Sequence, residues 1–226
     1  ALGSTPADWD AHHENWLSAK HEPETATDDD IHQFVDAYDA EIRFVDEQLS
    51  RLFDRMKSHG VHEDTAYIIT ADHGELLGDH GLFSHPPRLY DELIHVPLLI
   101  HVPGVTDGRH DERLVSLIDL PSTIVDLFDI APPDEYRGTS LCPLRDDGSQ
   151  FHEYVFSEVC HRTGEGIEKG VYDLSDAIVA CRSPTAKLVR DEQRGTEVFS
   201  VVSPEGTHSE RDVPKEQRAA LKKAVE

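Results

Sequence analysis

The sequence is poor in basic side chains, and this deficit excludes several classes of partner. Its 226 residues contain 21 lysines and arginines against 45 aspartates and glutamates, which gives a formal net charge of −24. Because there is no basic excess to displace the counterions of a phosphate backbone, we expect no nucleic-acid partner. The same charge opposes binding to anionic membrane surfaces. Dispersed acid with scarce lysine predicts a protein kept soluble in concentrated salt, where charge repulsion is screened; an ordinary acidic mesophilic protein is the alternative.

Cysteine is scarce, and long apolar runs and a signal-peptide pattern at residues 1–6 are not found in this sequence. The three cysteines, Cys142, Cys160 and Cys181, are widely spaced and suggest neither a disulfide framework nor a zinc motif. No run approaches the roughly 18 apolar residues of a membrane span, so we expect no membrane partner. Residues 1–6 have no signal-peptide pattern and no initiator methionine, which indicates a processed product or a piece of something longer. The compartment stays open; a soluble protein is expected, with the cytoplasm favoured.

The hydrophobic pattern divides the chain into three segments. Residues 1–27 are polar and weakly periodic, which indicates an irregular lead-in. Residues 28–148 combine helical and strand patterns in the order that is typical of an α/β sheet with crossover helices. Residues 149–226 hold short strand patterns separated by turn signals and a terminal helical pattern. We therefore predict a small C-terminal α+β subdomain, made of an antiparallel sheet and one helix.

The strongest local pattern is a long amphipathic helix. Apolar residues recur at three- and four-residue steps from Ile31 to Met56, and Gly60 ends the pattern. The aspartates at 28–30 suit the positive end of a helix dipole. The other predicted elements are buried strands at 65–70 and 96–102, a helix at 117–128, strands at 154–160, 177–181, 187–190 and 198–202, and a helix at 214–226.

The segment after the first predicted strand is the most informative for function. Residues 70–75 read Thr-Ala-Asp-His-Gly-Glu. Ligands bind at the carboxyl ends of strands in open α/β sheets, so Asp72 and His73 lie where a site would form. A carboxylate and an imidazole suit zinc, manganese or iron, whereas calcium prefers oxygen ligands, and Gly74 would permit the unusual torsions of the turn. The alternative is that Asp72 caps the turn and His73 is partly buried in the core.

The continuation of this segment resembles the sulfatase family of the alkaline-phosphatase-like superfamily. Residues 70–75 followed by Gly-Asp-His-Gly at 78–81 are similar to the family's strand-end metal motif, and residues 89–100 resemble its next block. Further similar blocks follow the family's order at 38–46, 117–123, 137–141 and 180–188. The resemblance implies an alkaline-phosphatase-like α/β core, which is part of a mixed, mainly parallel sheet flanked by helices. It also implies hydrolysis of a small-molecule sulfate ester.

The resemblance also assigns roles to three residues. Asp72 and His73 would bind a divalent metal ion, which is calcium in many members of the family; manganese, zinc and magnesium remain open. His85 stands where many sulfatases have a lysine that contacts the sulfate, and a histidine can still donate hydrogen bonds to an anion. This departure leaves the choice between sulfate and phosphate esters open. The alternative for His85 is a surface-loop residue, and Asp79 and His80 are expected to organise the loop.

The family's nucleophile is a cysteine or serine followed by x-Pro-x-Arg. The segments that begin at Cys142, Cys181, Ser183 and Ser203 do not have this spacing. We therefore predict that the chain lacks the nucleophile, represents the C-terminal part of a sulfatase whose N-terminal half is missing, and has little or no turnover alone. The alternatives are a phosphomonoesterase or phosphodiesterase of the same superfamily and a non-catalytic binding module that retains the fold.

Overall fold

The computed structural model describes residues 6–106, 108, 110–142, 151–160, 177–202, 208–209 and 213–226. The chain forms two compact units. The first contains residues 1–86 and 92–103, and the second contains residues 87–91 and 104–226. The sequence predicted a division after residue 148, but that position lies outside the described residues, and residues 104–142 group with the C-terminal sheet.

The predicted amphipathic helix is present in the first unit as α2, Asp28–Ser58. It begins with a capping box, in which the Thr27 hydroxyl accepts the amide hydrogen of Asp30 and the Asp30 carboxylate accepts the amide hydrogen of Thr27. Thr27 is therefore the N-cap, and the three aspartates occupy the first turn. The helix ends before Gly60, which has a φ of +70°.

The expectation of an irregular lead-in is wrong for most of that segment, because helix α1 spans Pro6–His21. Its weak apolar periodicity gave no helical signal. Its stabilisation comes from tertiary contacts: Trp16 packs edge-on against Phe34 of α2 and against Phe83, with ring centroids 5.1 and 6.0 Å apart. Ala19 is buried in the same cluster. Contacts between residues far apart in sequence are not visible in a local pattern.

The strands of the first unit form two small antiparallel pairs. β1, Tyr67–Thr70, pairs with β4, Leu98–His101, in the register Thr70↔Leu98. β2, Leu76–Leu77, pairs with β3, Phe83–Ser84, and the four-residue helix α3, Asp91–Ile94, precedes β4. The connection from β1 to β4 contains this hairpin and short helix instead of the long crossover helix that usually joins parallel strands. The mainly parallel part of the expected sheet is thus not found among the described strand pairs, all of which are antiparallel.

The second unit contains a five-stranded antiparallel sheet in the order β5-β6-β7-β8-β9. Its strands are Val155–Cys160, Ala177–Arg182, Ala186–Asp191, Thr196–Val202 and His208–Ser209. Helix α4, Asp119–Asp126, and the terminal helix α5, Lys215–Val225, complete the unit. Leu188 of β7 and Leu221 of α5 are buried in one core with Cys181, and this burial raises the pKa of the Cys181 thiol to about 11.

Buried charge links separate segments within the second unit. Asp91 accepts hydrogen bonds from Lys187 Nζ and Arg182 Nη1, both at 2.5 Å, and Lys187 Nζ also donates to the carbonyl of Leu89 at 2.6 Å. The Lys187 side chain is only 3% exposed. These contacts fix residues 89–91 to the sheet. No helix in the described part of the chain is long and apolar enough to cross a membrane.

Candidate active site

The turn that carries the candidate metal ligands follows β1 directly. At its start, the Thr70 hydroxyl donates to the carbonyl of Pro97 at 2.8 Å, and further on the Gly74 amide donates to the carbonyl of Leu93 at 2.8 Å. A Cβ on Gly74 would lie 1.9 Å from the carbonyl oxygen of Glu92. Glycine is therefore required here by close backbone approach. The expectation that Gly74 serves unusual torsions is wrong, because its φ is not positive.

Asp72 and His73 lie side by side in this turn, with their polar atoms in reach of a common ion. The Asp72 side chain is 90% exposed; Oδ1 accepts the His73 amide hydrogen at 2.9 Å, and Oδ2 lies 3.8 Å from His73 Nε2. His73 Nδ1 lies 2.8 Å from the carbonyl oxygen of Gly74, which can only accept, so Nδ1 carries the hydrogen. The Nε2 lone pair is then free to bind a cation, and ligand bonds of about 2.0–2.6 Å can span the 3.8 Å separation.

The structure brings His85 next to His73 and adds Glu75, which the sequence analysis did not select. The two imidazole rings have centroids 4.4 Å apart, and His85 Nδ1 lies 3.1 Å from Glu75 Oε2. Pairing of Leu76 with Ser84 in the β2–β3 hairpin places the preceding Glu75 beside the following His85. The available signal was the position of Glu75, which follows Asp72 and His73 in one short polar run.

Asp79 and His80 organise the hairpin loop. The Asp79 carboxylate accepts the Leu77 amide hydrogen at 3.2 Å, and His80 Nε2 lies 3.3 Å from the carboxylate of Glu92. His80 has a φ of +56°, which is uncommon for a residue with a Cβ. These contacts agree with the loop-organising role expected from the sequence.

Ser84 was also missed, although its signal is plain in the sequence. Residues 84–88 read Ser-His-Pro-Pro-Arg and so match the Ser-x-Pro-x-Arg spacing, which corrects the prediction that the chain has no such pattern. The serine is only 4% exposed, and its hydroxyl makes a long 3.5 Å contact with His85 Nδ1. Because the hydroxyl is enclosed, the structure does not present it to an anion as a nucleophile.

Comparison with known proteins identifies the family. A family model described as Sulfatase matches residues 10–130, which is more than half of the chain. The chain belongs to the sulfatase family. The sulfatase family generally uses a divalent metal ion, and the donor set at the end of β1 is chemically suited to one.

Curated sulfatases with similar sequences are considerably longer than this sulfatase chain. An uncharacterized sulfatase of Escherichia coli (strain K12) is 31% identical over 150 residues, which cover 66% of this chain and 29% of that protein. A choline-sulfatase of Rhizobium meliloti (strain 1021) is 30% identical over 149 residues, covering 63% of this chain and 28% of that protein. The chain therefore matches less than a third of the length of either relative.

Solved structures confirm the alkaline-phosphatase-like fold of the sulfatase chain. A 2-O GAG sulfatase superimposes with a TM-score of 0.74 at 20% identity, covering 93% of this chain and 46% of that one. A phosphonate monoester hydrolase of Agrobacterium radiobacter gives a TM-score of 0.71 at 25% identity, covering 88% of this chain and 41% of that one. The phosphonate monoester hydrolase of Silicibacter pomeroyi superimposes with a TM-score of 0.62 at 28% identity, covering 80% of this chain and 37% of that one.

Proposed function

We propose that this chain is the C-terminal part of a metal-dependent sulfuric-ester hydrolase and supplies one side of its active site. The observation that carries the proposal is the grouping of Asp72, His73 and His85 at the end of β1 in a sulfatase-family chain. The substrate would be a small-molecule sulfate ester, and the nucleophile would come from an N-terminal part outside these residues.

Asp72 and His73 would hold the divalent ion, with calcium as the first expectation and manganese, zinc or magnesium as alternatives. When bound, such an ion neutralises the negative charge that develops on the ester group. The Gly74 carbonyl keeps His73 in the tautomer whose Nε2 carries the lone pair that can bind a cation. Glu75 holds His85 by Nδ1, so that Nε2 would donate to the anionic substrate when it also carries a hydrogen.

An exposed apolar face of α2 supports the view that a further part of the protein packs on this chain. Large side chains at three- and four-residue spacing are exposed along one stripe of the helix: Val35, Tyr38, Ile42, Val45 and Leu52. Contiguous exposed apolar surface of this kind is typical of an interaction face. A missing part of about the same size as this chain would agree with the coverage of the solved structures.

Metal binding is tested by calorimetric titration of calcium and of manganese into the native chain and its Asp72→Ala variant, in salt sufficient to screen the acidic surface. We expect Asp72→Ala to weaken binding at least about tenfold, because it removes one of two direct ligands. Asp36→Ala, which removes an exposed aspartate on α2, is the matched control and should bind like the native chain. Equal affinities in the native chain and Asp72→Ala would reject this assignment.

Catalysis requires two comparisons. The 226-residue chain alone should not hydrolyse an aryl sulfate; turnover that disappears in Ser84→Ala would instead make Ser84 the nucleophile.

In the complete protein, the ratio of kcat/KM for an aryl sulfate to kcat/KM for an aryl phosphate should change when His85→Lys restores the residue typical of sulfatases. An unchanged ratio would remove His85 from substrate selection.

Hydrolysis of a phosphate or phosphonate ester is the second candidate function. It is favoured by His85 in place of a lysine and by the similarity to phosphonate monoester hydrolases at 25% and 28% identity. A complete protein that prefers the aryl phosphate would support it. A complete protein that binds metal through Asp72 but turns over neither ester would favour the non-catalytic module.

A further inference from the structure

The β2–β3 hairpin assembles a second set of metal donors that overlaps the Asp72–His73 pair in only one residue. One ring nitrogen of His73, one of His85 and a carboxylate oxygen of Glu75 all lie within 4.8 Å of one another. Two of these side chains are already in contact, with His85 Nδ1 and Glu75 Oε2 at 3.1 Å. The hairpin register fixes Glu75 and His85 side by side, so their proximity follows from the backbone.

The donor chemistry favours a transition metal over calcium or magnesium. Two imidazoles and one carboxylate are typical ligands of zinc and related ions, whereas calcium and magnesium take oxygen almost exclusively. Tetrahedral zinc with bonds of about 2.0–2.2 Å holds neighbouring donors about 3.3–3.6 Å apart. The widest pair in this group, at most 4.8 Å apart, must therefore close by no more than about 1.5 Å.

Burial indicates which residue is fixed and which can adjust. The Glu75 side chain is 19% exposed, so its carboxylate has lost much of its contact with water and gains from a bound cation. The rings of His73 and His85 are about half exposed and can rotate onto an ion. Asp72 is outside this group; its Oδ1 accepts the amide hydrogen of His73, and its side chain extends into solvent.

We propose that His73, Glu75 and His85 form a three-ligand site for a zinc-type transition-metal ion, with the fourth position open to solvent. Ion binding here engages both histidines at once. It therefore competes with binding of the Asp72–His73 ion and with the contact between His85 and the substrate, a consequence that rests on the proposed function. The zinc site itself does not depend on that function.

The test measures zinc affinity of the 226-residue chain by competition with a chromophoric chelator, and cobalt(II) binding by its visible absorption. We expect one equivalent of zinc and a cobalt spectrum typical of four-coordinate nitrogen and oxygen ligands. Glu75→Gln and His85→Gln should each weaken zinc binding at least about tenfold, since even outer-shell substitutions cost about 10–100-fold. His59→Gln, an exposed histidine just beyond the end of α2, should bind zinc like the native chain.

Asp72→Asn separates this site from the one in the proposed function. We expect this variant to keep its zinc affinity within about threefold of the native value, a smaller change than the removal of a direct ligand causes. It should lose calcium or manganese binding. Native-like zinc affinity in Glu75→Gln would overturn the proposal, as would an equal loss in Asp72→Asn and Glu75→Gln. Should Glu75→Gln fail to fold by circular dichroism, His85→Gln decides the matter alone, because the exposed His85 ring is not part of a core.

Discussion

Replacing Asp91 by asparagine should strongly destabilise the second unit. The carboxylate receives Lys187 Nζ and Arg182 Nη1, each at 2.5 Å, and the Asp91 and Lys187 side chains are 5% and 3% exposed. The asparagine side chain would fill nearly the same volume and still accept one hydrogen bond, but it would remove the negative charge that both cations contact. Loss of one partner from a buried ion pair costs about 3–5 kcal/mol. That is a large fraction of the roughly 5–15 kcal/mol that stabilises a typical domain.

A double-mutant cycle separates lost charge pairing from general damage. Lys187→Met removes one cation and leaves Asp91 paired with Arg182, so the double variant Asp91→Asn/Lys187→Met should recover part of the stability lost in Asp91→Asn. The surface control is Glu192→Gln, whose carboxylate lies 3.8 Å from Arg190 and is 44% exposed. It should change the free energy of unfolding by less than about 1 kcal/mol.

The assay follows alkylation of Cys181 in increasing urea. Cys181 is fully buried in β6, and the burial that raises its pKa to about 11 also protects it from reagent until the unit opens. Both tryptophans, Trp9 and Trp16, are in the first unit, so fluorescence alone would report on the other part of the chain. If Asp91→Asn shifted the free energy of opening by less than about 1 kcal/mol, the argument from buried charge would be refuted.

Three further outcomes are expected. Gly74→Ala should lower the free energy of unfolding by at least about 1–3 kcal/mol, because the new Cβ would lie 1.9 Å from the carbonyl oxygen of Glu92. In the control Gly60→Ala the new Cβ would meet no atom within 4 Å, so the free energy of unfolding should fall by only about 1 kcal/mol, because of the positive φ. Urea unfolding compares the two variants. A hydrogen bond from Lys222 is the main cause of the lowered pKa of Glu197, so the ionised carboxylate stabilises the fold above the unfolded pKa of 4.5, and this stabilisation is lost as the pH falls below that value. The free energies of unfolding of the native and Glu197→Gln chains, measured by thermal unfolding, should therefore differ by no more than about 1 kcal/mol at neutral pH and become equal in acid. A net charge of −24 predicts that the unfolding midpoint rises with potassium chloride up to molar concentrations, and a flat response would contradict the salt-adapted interpretation.

The sequence predicted those elements whose cause is local. The helix α2 and the strands β1 and β4 carry their own periodicity and β-branched residues, so their positions could be predicted within a few residues. Helix α1 could not be predicted, because Trp16 gains its packing from Phe34 and Phe83, which are distant in sequence. The antiparallel direction of β4 depends on how the intervening hairpin folds, and the strand pattern itself carries no direction.

The same distinction applies to the candidate site. Asp72 and His73 could be selected because they directly follow a strand, a position that sequence reveals. Glu75 comes into contact with His85 only through the register of the β2–β3 hairpin, whose strands have two residues each and therefore show no periodicity that could specify it. Gly74 was selected for the wrong reason, because the carbonyl of Glu92 that excludes a side chain belongs to a distant segment.

The hydrogen bond from the Gly74 amide to the carbonyl of Leu93 gives the turn an internal reporter. The bond is 2.8 Å long and joins the centre of the Asp72–Glu75 turn to the end of α3. Exchange of this one amide hydrogen with deuterated solvent requires the turn to separate from α3, whether or not any ion or ester is present. Its exchange rate would therefore measure how well the turn is preorganised, and a bound ion that holds the turn closed would be seen as slower exchange.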